Sequence, residues 1–344
     1  MSRVPPHIAE RISAQGLSGP PLRSVVAVPE LLLAVQGQDP RGARLAVRSR
    51  TAGLSAADVD CAFSEERSIL IAWLNRGTLH LVRSEDYPLL QSLTTPPLLT
   101  SANRRLRQEG VSEARTERAL KTVARALGEE GPLIGKDLKE RVESADGSVV
   151  GRSFIHLMFL AAVRGILVRG PMQGKQHAYA LVEDWLGPWQ APDRDAALAE
   201  LARRYLAGHG PADDRDLARW SGLPLRDARA GLGAIASELV EREDGRVDLA
   251  GRERSTELPP PRLLGAYEPL LLGWTSREEI VGPHKLLVSN NGLFRPFALV
   301  GGRAVATWGY AGGEVTIKHL GKVTRKDETA LAADASAVEA FLLG

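Results

Sequence analysis

The sequence contains one cysteine, Cys61, so no internal disulfide can form. Its 7 histidines lie far apart, without the short spacings that gather ligands around zinc, and no structural metal is expected. No apolar run approaches the roughly 20 residues that a bilayer crossing needs. The opening Met1-Ser2-Arg3-Val4-Pro5-Pro6 lacks the apolar stretch of a signal peptide, so a cytoplasmic address and no membrane partner are expected. Gly-rich phosphate loops of the P-loop or dinucleotide type are missing, as are a zinc-protease helix and a nucleophile-elbow serine. Carboxylates are plentiful, but no pair of them can be assigned to one site from spacing alone. The net charge of +2, with a pI near 8.7, permits a nucleic-acid partner without demanding one.

What remains is a chain of 344 residues, 44% hydrophobic and 25% charged, long enough for two or three domains. Leu31-Leu32-Leu33-Ala34-Val35 follows Pro29 and Glu30 as a helix would, and Gln36-Gly37-Gln38-Asp39-Pro40 stops it, placing both glutamines at a helix end. An apolar stripe through Ala43, Leu45, Ala46 and Val47 predicts the next helix. Ser55-Ala56-Ala57-Asp58 then has the spacing of a capping box with Asp in place of Glu. Ile69-Leu70-Ile71-Ala72-Trp73-Leu74 is apolar throughout and therefore buried, and Thr78-Leu79-His80-Leu81-Val82 alternates as a strand does. Ser84 is expected to cap a helix running through Tyr87 and Leu90.

A weak internal repeat follows. Gly131-Pro132 and Gly210-Pro211 are each preceded by an amphipathic helix and followed, at the same offset, by Asp137-Leu138 or Asp216-Leu217. Each copy continues with a second short helix, a longer one (154–164; 227–237) and a hairpin turning at Gly174 or at Asp244-Gly245. Helix, helix, helix, hairpin is the winged-helix plan. Beyond Pro259-Pro260-Pro261, read as a stiff linker, strands are expected at 285–288, 297–300 and 303–308, the last two joined at Gly301-Gly302, and a helix at 327–343.

Two winged helices point to duplex DNA, although the apolar run Phe154-Ile155-His156-Leu157-Met158-Phe159 also reads as core of a protein scaffold. Arginines gather at Arg41, Arg44, Arg48, Arg50, Arg76 and Arg83, where guanidinium forks suit phosphates and a solvated basic face would look the same. Thr78 and His80 share one face of their strand and either line a pocket or sit in the core. Gln173, Lys175 and His177 at the second hairpin tip either contact a backbone or are simply solvated. Arg295, between Phe294 and Pro296, either anchors a turn or contacts a phosphate.

Gln36-Gly37-Gln38-Asp39-Pro40, followed by Arg76-Gly77-Thr78-Leu79-His80-Leu81-Val82, resembles the AlkZ/YcaQ-like winged-helix DNA glycosylases. These are bacterial enzymes that excise N-alkylated bases and unhook interstrand crosslinks. Gly208-His209-Gly210-Pro211-Ala212, Trp220-Ser221-Gly222-Leu223-Pro224 and Asn291-Gly292-Leu293-Phe294-Arg295-Pro296 match similar words of that family, so the likeness spans nearly the whole chain. The resemblance implies an α+β, mostly α fold: three tandem winged helices (1–92, 93–190, 191–258) in a C-shaped DNA-binding scaffold, with a β-rich C-terminal region (259–344). It implies catalysis by Gln36 and Gln38, the family's Gln-aliphatic-Gln element, from which this chain departs at Gly37. The implied enzyme is a monofunctional glycosylase, monomeric and free of cofactors. It would act on double-stranded DNA carrying alkylated or crosslinked bases, with Thr78 and His80 at the lesion and the arginines, Gln173, Lys175 and His177 on DNA. A non-catalytic winged-helix DNA-binding regulator, with Gln36 and Gln38 as mere helix-end residues, is the alternative.

Overall fold

Helices take up half of the residues and strands 18%, the helix-rich α+β composition expected from the sequence. The structure, a computed structural model, describes residues 4–344 apart from 146, 148, 175, 254, 285 and 290. In chain order the elements up to the middle of the molecule are α1 (Pro6–Ala14), α2 (Ala27–Leu32), β1 (Val35–Gln36), α3 (Pro40–Arg48), α4 (Ala56–Ser64), β2 (Ile69–Leu74), β3 (Thr78–Arg83), α5 (Tyr87–Thr94), α6 (Pro96–Gln108), α7 (Glu113–Glu130), α8 (Gly135–Ala145), α9 (Arg152–Val163), β4 (Leu167–Gln173), β5 (Gln176–Leu181) and α10 (Val182–Leu186). Then come α11 (Arg194–His209), α12 (Asp214–Ser221), α13 (Leu225–Ala234), β6 (Leu239–Glu241), β7 (Val247–Leu249), β8 (Arg262–Leu264), α14 (Glu278–Val281), β9 (Phe297–Val300), β10 (Arg303–Ala311), β11 (Glu314–His319) and α15 (Arg325–Leu343). They form two compact units, Asp60–Arg194 and the combination of Met1–Val59 with Asp195–Gly344.

In the unit Asp60–Arg194 the strands run in the order β3-β2-β4-β5. The apolar run 69–74 is the central strand β2, paired with β3 from Ile69↔Arg83 to Leu74↔Thr78 and touching β4 at Ile71↔Arg169. Its side chains are buried on both faces, which is why it shows no alternation in sequence. Leu120, Val123 and Leu127 of α7 share one core with Phe154, Leu157 and Met158 of α9, so α9 is largely a core helix. Ser84 does not cap a helix directly. It opens a single 3₁₀ turn, its hydroxyl donating to the Arg67 carbonyl at 2.5 Å, and α5 begins only at Tyr87. Proline at the second position of that helix costs no hydrogen bond and fixes the start there.

In the discontinuous unit, α11, α12 and α13 lead into the β6–β7 hairpin, the same order as α7, α8, α9 and β4–β5. A small device recurs in both stretches. The residue after each Gly-Pro pair bridges the second hairpin strand, Leu133 to Tyr179 and Ala212 to Val247. The capping box forms as expected, Ser55 Oγ and backbone N–H both donating to the Asp58 carboxylate at 2.8 and 2.7 Å. A four-stranded antiparallel sheet, β11-β10-β9-β8, follows the proline stretch, with β9 and β10 joined at Gly301-Gly302 as predicted. The strand expected at 285–288 does not form. Lys285 lies outside the described residues, Leu286 is exposed, and Val288 makes only an isolated bridge to Phe294. Its neighbours bond locally instead, Leu287 N–H to His284 O and Ser289 N–H to Leu293 O, because Pro283 and the turn after Ser289 leave too short a run to pair. The β8 and β11 strands are additions that sequence reading did not foresee; the C-terminal helix α15 lies where it was expected.

Candidate active site

Gln36 ends the short strand β1, and Gln38 lies between that strand and the start of α3. α2 ends at Leu32, because Leu33 adopts a left-handed φ of 61° and turns the chain into β1. The expectation of a helix end is corrected here. Leu33, not Gly37, terminates the helix, and Pro40 opens the next helix rather than breaking the previous one. Asp39 is the N-cap of α3, its carboxylate accepting from the N–H groups of Arg41 at 2.9 Å and Gly42 at 3.1 Å, with Pro40 in the first turn. Along the run Gln36 is 8% exposed, Gly37 is buried and Gln38 is exposed. One amide is thus held inside while the other faces outward, ahead of a capped helix N-terminus.

That helix start is clamped. A Cβ on Gly42 would lie 2.3 Å from the Ala266 carbonyl oxygen, so the backbones of α3 and of the segment after β8 meet with no room for a side chain. Arg50, just beyond α3, and Glu268 form an ion pair at 2.6 Å with both side chains fully buried. Arg48 binds the Asp334 carboxylate of α15 at 2.5 Å, and the same carboxylate accepts the Leu263 N–H of β8 at 2.6 Å. Between Ala266 and Glu268 sits Tyr267, half-buried, at a left-handed φ of 55°. Its ring centroid is 5.8 Å from that of Phe294, over which Arg277 lies at 5.0 Å. Burial first, and then the nearby Asp39 carboxylate, hold the Tyr267 phenol above its ordinary range.

The predicted arginines are placed unequally. On α3, Arg41 is exposed and lies 5.1 Å over the Tyr310 ring. Arg44 is buried, donating to the Pro40 carbonyl at 2.9 Å, and Arg48 is committed to Asp334. Arg50 belongs to the core. Arg295 is exposed, its backbone N–H closing a turn on Leu287 O. The remaining candidates belong to the unit Asp60–Arg194. There Arg76 is half-buried at a left-handed φ of 59°, and Arg83 pairs with Asp86 at 2.9 Å. Thr78 donates to the Asn75 carbonyl at 3.2 Å, and His80, 2% exposed, has Nδ1 2.9 Å from the Thr78 carbonyl. Gln173 is exposed, its amide donating to Pro132 O at 2.9 Å. His177 is buried edge-on against Phe63 at 4.7 Å, and Lys175 lies outside the described residues. Among the described residues no group of three His, Cys, Asp or Glu side chains is placed to hold a metal ion, and no helix is long and apolar enough to cross a membrane.

His80 and, in the other unit, His209 are both pushed down to about 3, chiefly by burial, with Arg76 adding to the effect on His80 and Arg50 and Arg11 on His209. Both are therefore neutral at pH 7. The unfolded chain takes up protons at these histidines near 6.5, while the folded protein does so only near 3. Stability is therefore complete above the unfolded value and falls as the pH drops toward the folded one, by roughly 2 kcal/mol per histidine at pH 5. The urea midpoint is expected to decline steadily from pH 7 to pH 5; an unchanged midpoint would contradict the burial of these rings as neutral groups.

The family described as DNA glycosylase AlkZ-like matches residues 30–341. The chain belongs to that family. Family membership makes it a DNA glycosylase, a hydrolase of N-glycosyl bonds, rather than the non-catalytic regulator that sequence reading left open. The fold agrees. The structure of the Streptomyces sahachiroi DNA glycosylase AlkZ superimposes with a TM-score of 0.79 at 24% identity, covering 97% of this chain and 95% of that one. No curated protein matches in sequence. Two residues around the candidate glutamines escaped the sequence reading. Asp39 had a signal, an Asp immediately before a Pro at a helix start, which is a cap followed by a first-turn proline. Tyr267 had none, since a left-handed tyrosine is set by the packing on either side of it.

Proposed function

We propose that this AlkZ-like glycosylase hydrolyses the N-glycosidic bond of N-alkylated purines in duplex DNA: N7-alkylguanines, bulky adducts and interstrand crosslinks. Gln36 and Gln38 position the water. The enzyme acts in the cytoplasm as a monomer without a cofactor, through winged helices in 1–92, 93–190 and 191–258 and the β-rich region 259–344. The observation that carries this reading is the exposed Gln38 on a turn fixed by β1, the Asp39 cap and the Gly42–Ala266 contact.

The chemistry suits an amide. Alkylation at N7 of guanine or N3 of adenine makes the base a cation, already a good leaving group, so no strong general acid is needed. As the C1′–N bond breaks, its electron pair neutralises the base and leaves an oxocarbenium-like sugar. Water adds at C1′ and gives its proton to solvent. A glutamine carbonyl accepts a hydrogen bond from that water and sets partial negative charge beside the developing cation. No lysine stands in the Gln36-Gly37-Gln38 run to form a Schiff base, so the product is an abasic site in an uncut strand. Arg41, Arg76, Arg83 and Arg295, with Gln173 and Lys175, supply phosphate contacts.

A single-turnover assay on duplex DNA with one N7-alkylguanine, with abasic sites revealed by alkali, tests the reading. Lesion-dependent strand cleavage only after alkali treatment is the expected result. Release no faster than the spontaneous rate, on this and on a crosslinked duplex with binding confirmed, would refute it.

A further inference from the structure

We propose that Tyr267 determines specificity in this reaction, its ring being the surface on which the alkylated base stacks beside Gln38. The inference rests on the reading of Gln36 and Gln38 as the catalytic pair.

Backbone geometry is the first support. A tyrosine at a φ of 55° is strained, where glycine would fit freely. The conformation is imposed from both sides. Ala266 is pressed against Gly42, two residues into the helix that Asp39 caps, and Glu268 is locked to Arg50. The backbone here needs no side chain at 267, yet an aromatic one is held in this conformation next to the turn that carries Gln38.

The ring is also not spent on the core. Tyr267 is half-buried, its ring tilted at 44° against that of Phe294, over which Arg277 lies. A partly exposed aromatic ring braced against a second ring can serve as a stacking platform for a base. Charge supplies the direction of the preference. The phenol is neutral and the Asp39 carboxylate is close enough to act on it. An N7- or N3-alkylated purine is a cation until its glycosidic bond breaks, so the π face and the carboxylate both attract it, whereas an unmodified purine gains only the stacking.

The test measures binding and turnover separately. Affinity is read on duplexes with N7-methylguanine on a 2′-fluoro sugar, which resists bond cleavage, and on the same duplex undamaged. Tyr267→Leu and Tyr267→Gly are expected to lower the preference for the lesion about tenfold or more, and Tyr267→Phe to restore it to within about threefold. Tyr267→Gly is expected to melt no lower than the parent because it relieves the strained φ, so a fall in preference there cannot come from unfolding. An unchanged preference in the leucine and glycine variants, equal weakening on both duplexes, or a Phe variant as impaired as Leu would overturn the proposal. Single-turnover excision by Gln38→Ala runs alongside. Normal excision by that variant defeats the glutamine reading, while the cleavage-resistant duplex still decides the role of Tyr267.

Discussion

Gln38→Ala is expected to lower single-turnover excision of N7-methylguanine by about 10²–10³-fold or more, while affinity for undamaged duplex changes by less than about twofold. The scale is that of losing one preorganised polar group beside a developing charge, the role proposed for Gln38. Because Gln38 is exposed, truncating its side chain opens no core cavity, and the melting temperature is expected to change little. Gln36 is a poorer probe, since truncating a side chain that is 8% exposed disturbs packing as well as chemistry. Loss of excision and of undamaged-DNA affinity to the same degree would recast Gln38 as a DNA-binding residue.

Glu268→Ala should be the most destabilising single change near the site, by about 3–5 kcal/mol and a fall in melting temperature of roughly 10 °C. Arg50 and Glu268 have no exposed side-chain surface, and the variant would leave the guanidinium charge inside the protein. Its other bonds, Nε to Gln15 O at 2.7 Å and Nη1 to Ala46 O at 3.0 Å, satisfy donors without neutralising charge. Replacing both partners by apolar residues of similar size, Arg50→Met with Glu268→Leu, is expected to recover most of the loss, because the cost lies in the unpaired charge. Thermal melting of the single and double variants decides it; a fall below about 2 °C for Glu268→Ala would show that water reaches Arg50.

The helices and hairpins of the two repeated stretches were legible because amphipathic spacing and Gly-Pro punctuation are local signals, and the capping box Ser55-Ala56-Ala57-Asp58 formed as read. The glutamine run was legible only as a family word. Its placement after a strand depends on Leu33 taking a left-handed turn, and nothing in Leu31-Leu32-Leu33 marks which leucine does so. Arg44 and Arg48 looked like surface cations. The partners that occupy them, Pro40 O and the Asp334 carboxylate, could not be read from periodicity, the second lying 286 residues away. The strand expected at 285–288 failed for the opposite reason: its apolar residues matched a local pattern, but the turns on either side leave too short a run to pair beyond the single bridge of Val288 to Phe294.

The unit that carries the glutamines is assembled from the two ends of the chain. Arg11 reaches Asp216 across 205 positions, Arg50 reaches Glu268 across 218 and Arg48 reaches Asp334 across 286. Made on a ribosome, residues 1–59 emerge well before 195–344, the other part of their compact unit. The interposed segment 60–194 already has the partners for its own core. The unit bearing Gln36 and Gln38 is therefore completed only after the segment 60–194 has been made, and a prematurely terminated chain would lack the partners of Arg11, Arg50 and Arg48.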